Sequence, residues 1–500
     1  MIQGSKMETP SLKQRTASSV KWNLIDRFGT QILYGITGII LARILSPEAF
    51  GLVGAIVVFQ AFASLLIDSG FMPALLQRKD PKEIDYQSIF WFNFIVSIVL
   101  YVGLFFFAPL IAQWYGKSEE LIPLSRVLFI SFIINGLSLI PNNRLLKRMN
   151  VRPVAIANGA GLFAGGAAGI FLAIEGFGAW ALVIQTLTLG IVKGVILWIA
   201  DRWIPKLEFS MSVLRSYFKF GGSMMLSSFL NTLFLNIYSF VIGNRVGIVP
   251  LGYYTQGDKW SKMGIMSLTQ VFQTSLVPTL SEVQNDKERF TRLSLKINRF
   301  VAYISFPSML WLIVMAAPIF HALFGSKWDE SIPLFQLLLL RGVFYLLTQG
   351  YNTVITAKGD SKLIVKTEII RDITALIALA ITIPFLTLSL EGHFLAGLEI
   401  LIGGQVIASI VAWIYTLVKC SSILECKTFY LLGTGATAFL FSVISTLPMA
   451  FISFLSWNPW LVAIVQMFIG AGLYWIMNFL WKSDIQEGVM ERLFSKGTTV

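Results

Sequence analysis

Seven basic side chains, Arg27, Arg126, Lys193, Lys259, Lys262, Arg341 and Arg371, fall inside stretches that are otherwise apolar enough to cross a lipid bilayer. A cation at bilayer depth costs roughly 2.5–3.5 kcal/mol on insertion scales, so several in one chain predict a watered cavity or an anionic cargo. Asp26 and Arg27 lie side by side about one turn inside the first stretch, and neighbours on a helix point to different sides. Either one of them faces a cavity, or Arg27 snorkels to the headgroups while Asp26 caps a neighbouring helix. In Asp258-Lys259-Trp260-Ser261-Lys262 the first and last residues share a face at i,i+4 and can pair, which directs Lys259 to an anion or to water. Arg341 follows four leucines near the middle of its span, too deep for comfortable snorkelling. Glu368, Arg371 and Asp372 stand at i, i+3 and i+4, so the triad either neutralises itself or contributes to a site. Arg126 and Lys193 sit nearer span ends, where interfacial anchoring is expected. The expected anion-binding set is therefore Arg27, Lys259, Lys262, Arg341 and Arg371, with Asp26 and Glu368 as the groups that would titrate if a proton or sodium ion drives transport.

Other chemistries find little to work with. No G-x-x-x-x-G-K-[ST] phosphate loop is present, so ATP hydrolysis by this polypeptide is not expected. Its two histidines, His321 and His393, are placed near outer helix ends, and no Cys/His spacing resembles a metal site. Neither a catalytic residue nor a metal ligand nor a cofactor is expected. Cys420 and Cys426 cannot build a disulfide framework and read as incidental thiols beside a helix end.

The elements that must position these residues are membrane spans. The chain has 500 residues, of which 55% are hydrophobic and 13% charged, with no long polar segment, which excludes a soluble multidomain protein. About 20 apolar residues cross the hydrocarbon core. Such windows give about fourteen spans, at approximately 22–42, 49–76, 88–112, 121–141, 153–174, 177–199, 220–242, 250–280, 300–320, 332–354, 367–389, 394–418, 428–454 and 458–481. Ten-residue alternation is absent, so the spans are helices and not barrel strands. The polar start up to Lys21 does not read as a cleavable leader.

If residues 1–21 are cytoplasmic, their side of the membrane carries 28 Lys and Arg and the opposite loops carry four, Arg43, Lys117, Arg245 and Lys327. This asymmetry places both termini in the cytoplasm and explains the net charge of +12 without nucleic-acid binding. The opposite loops are too short to house a catalytic domain.

An internal repeat is also visible. Phe28-Gly29 resembles Phe220-Gly221, Phe50-Gly51-Leu52 resembles Leu251-Gly252-Tyr253, and Asn142-Asn143-Arg144 is echoed by Tyr351-Asn352-Thr353, all at an offset near 200 residues. Six spans per half give both halves the same topology. The expected fold is an all-α membrane protein of about 14 transmembrane helices. Two six-helix lobes surround a central cavity, with two helices appended. By this division residues 1–21 are a cytoplasmic tail, 22–199 the N-lobe, 200–219 a cytoplasmic linker, 220–418 the C-lobe, 428–481 the last two spans and 482–500 a cytoplasmic tail. Gly161, Gly165 and Gly169 form two G-x-x-x-G spacings that let another helix approach closely. Pro278, Pro307, Pro318 and Pro384 interrupt or bound spans and permit bending.

Particular residues carry a family likeness. Lys21-Trp22-Asn23 leading to Phe28-Gly29, then Leu41-Ala42-Arg43-Ile44-Leu45-Ser46-Pro47-Glu48-Ala49-Phe50-Gly51, resembles the link between spans one and two in the polysaccharide flippase branch of the multidrug/oligosaccharidyl-lipid/polysaccharide exporter superfamily. Asp68-Ser69-Gly70-Phe71, Leu251-Gly252-Tyr253-Tyr254 and Ala357-Lys358-Gly359 are similar to further motifs of that branch. The resemblance runs over most of the chain and is nearest to exporters associated with O-antigen, colanic acid or teichuronic acid. It implies a V-shaped pair of lobes in the bacterial cytoplasmic (inner) membrane. It further implies movement of undecaprenyl-diphosphate-linked oligosaccharide from the cytoplasmic to the outer leaflet by alternating access. Glycosyltransferases, a glycan polymerase and membrane lipids would be its partners. The cationic set comes from the residues themselves and not from the likeness. Three other readings stay open: a cation-coupled multidrug antiporter of the same superfamily, a lipid II flippase, and a membrane glycan polymerase or ligase.

Overall fold

The computed structural model describes residues 12–68, 70–116, 118–388 and 395–487, apart from the side chains of 12–17, 219–224 and 226–227. His393, Lys117, the first 11 residues and residues 488–500 lie outside them, as do the side chains of Phe220 and Gly221. All regular structure among the described residues is helical. In chain order the helices are α1 (Leu12–Ile44), α2 (Pro47–Asp68), α3 (Phe71–Gln77), α4 (Glu83–Trp114), α5 (Leu121–Leu128), α6 (Ile130–Lys147), α7 (Val151–Ile174), α8 (Ala179–Asp201), α9 (Met211–Arg245) and α10 (Ile248–Ser281). They continue with α11 (Lys287–Val314), α12 (Ala316–Leu323), α13 (Ser331–Ala357), α14 (Ser361–Thr382), α15 (Ala396–Ile423), α16 (Thr428–Gly433), α17 (Ala436–Ile452) and α18 (Pro459–Leu480).

Each expected span falls on one of these helices or on a helix pair, and ten of the resulting segments are long and apolar enough to cross a membrane. The remaining four helices, α1, α9, α10 and α14, have 33, 35, 34 and 22 residues. Three of these four carry Asp26, Arg27, Asp258, Lys259, Lys262, Glu368, Arg371 and Asp372. Charged side chains on helices of spanning length are the mark of a hydrated face. Two expected spans are shifted along the chain. The segment placed at 300–320 is α11, which begins at Lys287 and gives way to α12 after Val314, and the one placed at 367–389 is α14, which ends at Thr382. Charged first turns extend both helices beyond the apolar window.

The chain divides into two compact units, Met1–Gly252 and Tyr253–Val500. The repeat assigns span seven to the second half of the sequence, yet α9 packs along α2, α3 and α4 in the first unit. A repeat is defined by order and a unit by contact, and here the two differ by one helix.

Within the first unit α7 is sandwiched between α1 and α8. The glycine stripe does what its spacing predicts. A Cβ at Gly161 would lie 2.8 Å from the Leu189 carbonyl oxygen, one at Gly165 2.6 Å from that of Gln185, and one at Gly169 2.9 Å from the Gln185 Cβ. On another side of α7, Gly166 abuts Thr37 of α1. The starts of α2 and α10 meet as closely: a Cβ at Gly51 would collide with the Ile248 carbonyl, and one at Gly252 with the Pro47 carbonyl. Between α2 and α3 the chain turns at Gly70, whose φ of 70° is open to glycine at no steric cost.

One end of this unit is closed by a buried ionic clasp. Arg144 at the end of α6 has only 7% of its side chain exposed, and its Nε donates to Asp201 (2.9 Å) while its Nη1 donates to Glu83 (2.9 Å). Arg148 donates to the other Asp201 oxygen, also at 2.9 Å. The Arg144 guanidinium stacks on Tyr86 and Trp203, and the Trp203 Nε1 donates to Glu83. Phe71, Leu75, Phe90, Leu214 and Tyr217 pack round it, joining α3, α4, α6 and α9. By sequence Arg144 counts as one more loop charge that sets orientation; in the fold it is interior, because three elements bring acids and aromatic rings to it.

Candidate functional site

In the second unit the predicted cations assemble on three helices. α10 carries Asp258, Lys259 and Lys262; α13 carries Arg341; α15 contributes Gln405. Asp258 and Lys262 pair at 2.5 Å, as the i,i+4 spacing predicts. The other Asp258 oxygen lies 3.6 Å from Arg341, beyond a hydrogen bond but within ion-pair range. Arg341 donates to the Gln405 side-chain oxygen at 2.6 Å. With 21% of the Arg341 side chain exposed and 14% of Asp258, this is a largely buried ionic network with limited access to solvent. One carboxylate therefore orients two cations without cancelling them, and Lys259 lies beside it on α10 with its ammonium 5.3 Å from the centre of the Trp260 ring. Trp260 is itself fixed by a hydrogen bond to Gln256 and by contact with Phe324.

Arg371 is brought into a different arrangement. It lies 2.5 Å from Glu368 and 2.9 Å from Asp372, and both its Nε and Nη2 donate to Asp372. Two acids flank one base, so this triad carries an excess of negative charge and leaves Glu368, with 38% of its side chain exposed, as its accessible group. Tyr345 on α13 lies within electrostatic range of Glu368, Arg371 and Arg341.

The first unit holds the remaining pair. Asp26 on α1 accepts from the Asn158 amide of α7 through both carboxylate oxygens, at 3.2 and 3.1 Å, and Lys193 of α8 lies within electrostatic range. Arg27, next to Asp26, is exposed and forms no ion pair among the described residues. Adjacent charges do point to different sides, as expected. Arg126 donates to the Phe105 carbonyl and stacks over its ring, which holds it against α4.

Reading charges alone passed over Asn158, Gln405 and Tyr345. The signal was present: amides inside apolar spans are costly unless bonded, so each announces a partner. His321 of α12 pairs with Asp329 at 2.8 Å. Among the described residues no group of three or more His, Cys, Asp or Glu side chains could hold a metal ion.

Comparisons with known proteins agree with this architecture. A family model described as "Polysaccharide biosynthesis protein" matches residues 40–333. The chain is 27% identical over 336 residues to the succinoglycan biosynthesis transport protein ExoT of Rhizobium meliloti (strain 1021), covering 66% of this chain and 67% of that one. It is 25% identical to the teichuronic acid biosynthesis protein TuaB of Bacillus subtilis (strain 168), covering 71% and 74% of the two chains, and 25% identical to the lipopolysaccharide biosynthesis protein WzxC of Escherichia coli (strain K12), covering 70% and 71%. Among solved structures it is similar to the lipid II flippase MurJ in an inward-closed conformation. That match has a TM-score of 0.71 at 16% identity over 93% of this chain and 99% of that one. An inward-facing multidrug transporter of the MATE family matches with a TM-score of 0.58 at 18% identity over 79% and 96%. These two likenesses concern the fold, a multi-pass all-α membrane transporter architecture.

Proposed function

We propose that this chain, which belongs to the polysaccharide biosynthesis protein family, is a flippase moving undecaprenyl-diphosphate-linked oligosaccharide repeats from the cytoplasmic to the outer leaflet. The family match over residues 40–333, more than half of the chain, carries this reading. The chemistry of the site supports it. A diphosphate brings about two negative charges, and the Asp258 network holds Lys262 and Arg341 on facing helices around one carboxylate, with Lys259 adjacent on α10. Polar sugars need water or hydrogen-bonding groups, which the charged and amide side chains of this network would supply, while the prenyl tail stays in lipid. Arg341, Lys259 and Lys262 would receive the diphosphate, with Arg27 contacting it at another depth. Arg371, held between two acids, would serve the cargo less directly.

In this reading the protein lies in the bacterial cytoplasmic membrane with both termini inside, the side favoured by 28 Lys and Arg against four. Asp26 and Glu368 would couple transport to a proton or sodium gradient, since each is an accessible carboxylate beside a fixed partner. Glycosyltransferases would supply the repeat and a polymerase would consume it. The decisive experiment is depletion of the protein in its host, followed by identification of the prenyl-linked glycan that accumulates on the inner leaflet. Accumulation of one such glycan is expected. None accumulating, with sensitivity to cationic drugs instead, would replace this reading with an antiporter.

A further inference from the structure

The second unit contains three adjoining cavities whose walls grade from charged to apolar. The first, about 760 Å³, is lined by Lys287, Arg292, Lys296 and Arg299 of α11, with Glu288, Glu425, Tyr430 and Asp484. It shares Arg299, Tyr430 and Asp484 with the second, about 500 Å³, where Tyr303, Trp481 and Lys482 also stand. The second shares Thr434 with the third, about 380 Å³, which is walled by Phe306, Leu340, Val343, Phe344, Leu347 and Phe439. The residue common to the second and third, Thr434, lies with Gly435 at the break between α16 and α17.

Charge along this track is not all used internally. Lys287 pairs with Glu425 at 2.6 Å and Arg299 with Asp484 at 2.9 Å. Arg292, Lys296 and Lys482 are exposed and form no ion pair among the described residues. Phe429, Tyr430 and Trp481, all exposed, stand at the level where the walls change from charged to apolar, as aromatic side chains do at a membrane–water interface. A small inorganic anion would use only the first cavity and a hydrocarbon only the third. The whole track fits an amphiphile with an anionic head, a polar waist and a long tail.

We infer that this track is a binding site for an anionic phospholipid of the surrounding bilayer. Its phosphate meets Arg292, Lys296 and Lys482, its ester region lies beside Tyr303, Tyr430 and Trp481, and one acyl chain passes the α16–α17 break into the apolar chamber. Every wall belongs to the second unit, so the lipid travels with that unit, as a resident and not as cargo. Bilayer phospholipid is also the amphiphile that surrounds this surface at high concentration.

The test uses the full-length protein, delipidated in detergent and titrated with phosphatidylglycerol or phosphatidylcholine under native mass spectrometry. Wild type is expected to bind one phosphatidylglycerol at least fivefold more tightly than phosphatidylcholine. The exposed charge reversals Arg292→Glu with Lys296→Glu, and separately Lys482→Glu, are expected to weaken phosphatidylglycerol at least fivefold while leaving phosphatidylcholine unchanged. Val343→Phe, which narrows the chamber, is expected to weaken both lipids. Equal binding of the two lipids by wild type, or unchanged phosphatidylglycerol binding in the charge reversals, overturns the assignment. Displacement of bound phosphatidylglycerol by equimolar undecaprenyl phosphate overturns it as well, because the site would then belong to the cargo. None of these readouts depends on flipping, so the site and the proposed transport stand or fall separately.

Discussion

Gly51 and Gly252 each lie against the backbone of the other's helix start. Gly51 faces the Ile248 carbonyl, four residues before Gly252, and Gly252 faces the Pro47 carbonyl, four residues before Gly51. The contact is reciprocal. Because a side chain at either site would strike backbone and not the end of a flexible side chain, relief requires moving a helix.

Gly51→Ala and Gly252→Ala are each expected to destabilise the protein by about 1–3 kcal/mol, the usual range for overpacking. Thermal unfolding of the purified protein followed by fluorescence checks this. Since both substitutions separate the same two helix starts, the double variant is expected to lose less than the sum. Additive losses would show that the two contacts are independent.

Arg144→Ala leaves the buried Asp201 with only the half-exposed Arg148 as a partner and removes the guanidinium that joins it to Glu83. Removing one partner of a buried ion pair costs about 3–5 kcal/mol. A large fall in folded yield is therefore expected, although Arg144 touches none of the proposed cargo residues. Asp201→Ala in the Arg144→Ala background should recover part of it. Recovery, read as the folded fraction by size-exclusion chromatography, separates an electrostatic loss from a packing loss.

Transport should depend on the Asp258 network. Arg341→Ala is expected to lower delivery of lipid-linked oligosaccharide to the outer leaflet by tenfold or more at unchanged expression, and Arg341→Ala with Lys259→Ala to bring it to background. Gln405→Ala, which removes only the hydrogen bond that orients Arg341, should give an intermediate loss. Full activity in the double variant would remove these residues from the cargo path.

Cys426 tests orientation and carries a pH dependence. It lies between α15 and α16, partly exposed, while Cys420 is buried within α15. Burial of the Cys426 sulfur disfavours the thiolate and pushes its pKa above the ordinary thiol range, only partly opposed by a backbone hydrogen bond. Since the thiolate is the reactive form, labelling by a membrane-impermeant maleimide is expected to be slow at neutral pH and to keep rising through the alkaline range. It should occur in inside-out vesicles and not in right-side-out ones. The reverse pattern would invert the proposed topology.

Much of the fold is legible in the sequence because lipid imposes it. Each apolar window becomes a helix or helix pair, and the spacing of Gly161, Gly165 and Gly169 alone identifies a close helix contact. Windows see hydrophobicity and not helix length, which is why the charged first turns of α11 and α14 lie outside them. The Asp258–Lys262 pair and the Arg371 triad follow from local helix spacing. The Arg341–Gln405 and Asp26–Asn158 bonds do not, since their partners are 64 and 132 residues apart and only packing reveals them. Arg144 is missed for the same reason: near a helix end it looks like any solvated charge.

The glycine stripe of α7 has a consequence for how motion in this protein can be followed. With no α7 side chain in the contact at three successive levels, α7 lies directly on the backbone and Cβ atoms of α8, so the pair is expected to move as a single rigid plank. A spectroscopic label on each of these two helices should therefore hold a constant separation through the working cycle. That makes the pair a built-in ruler against which the displacement of other helices can be measured.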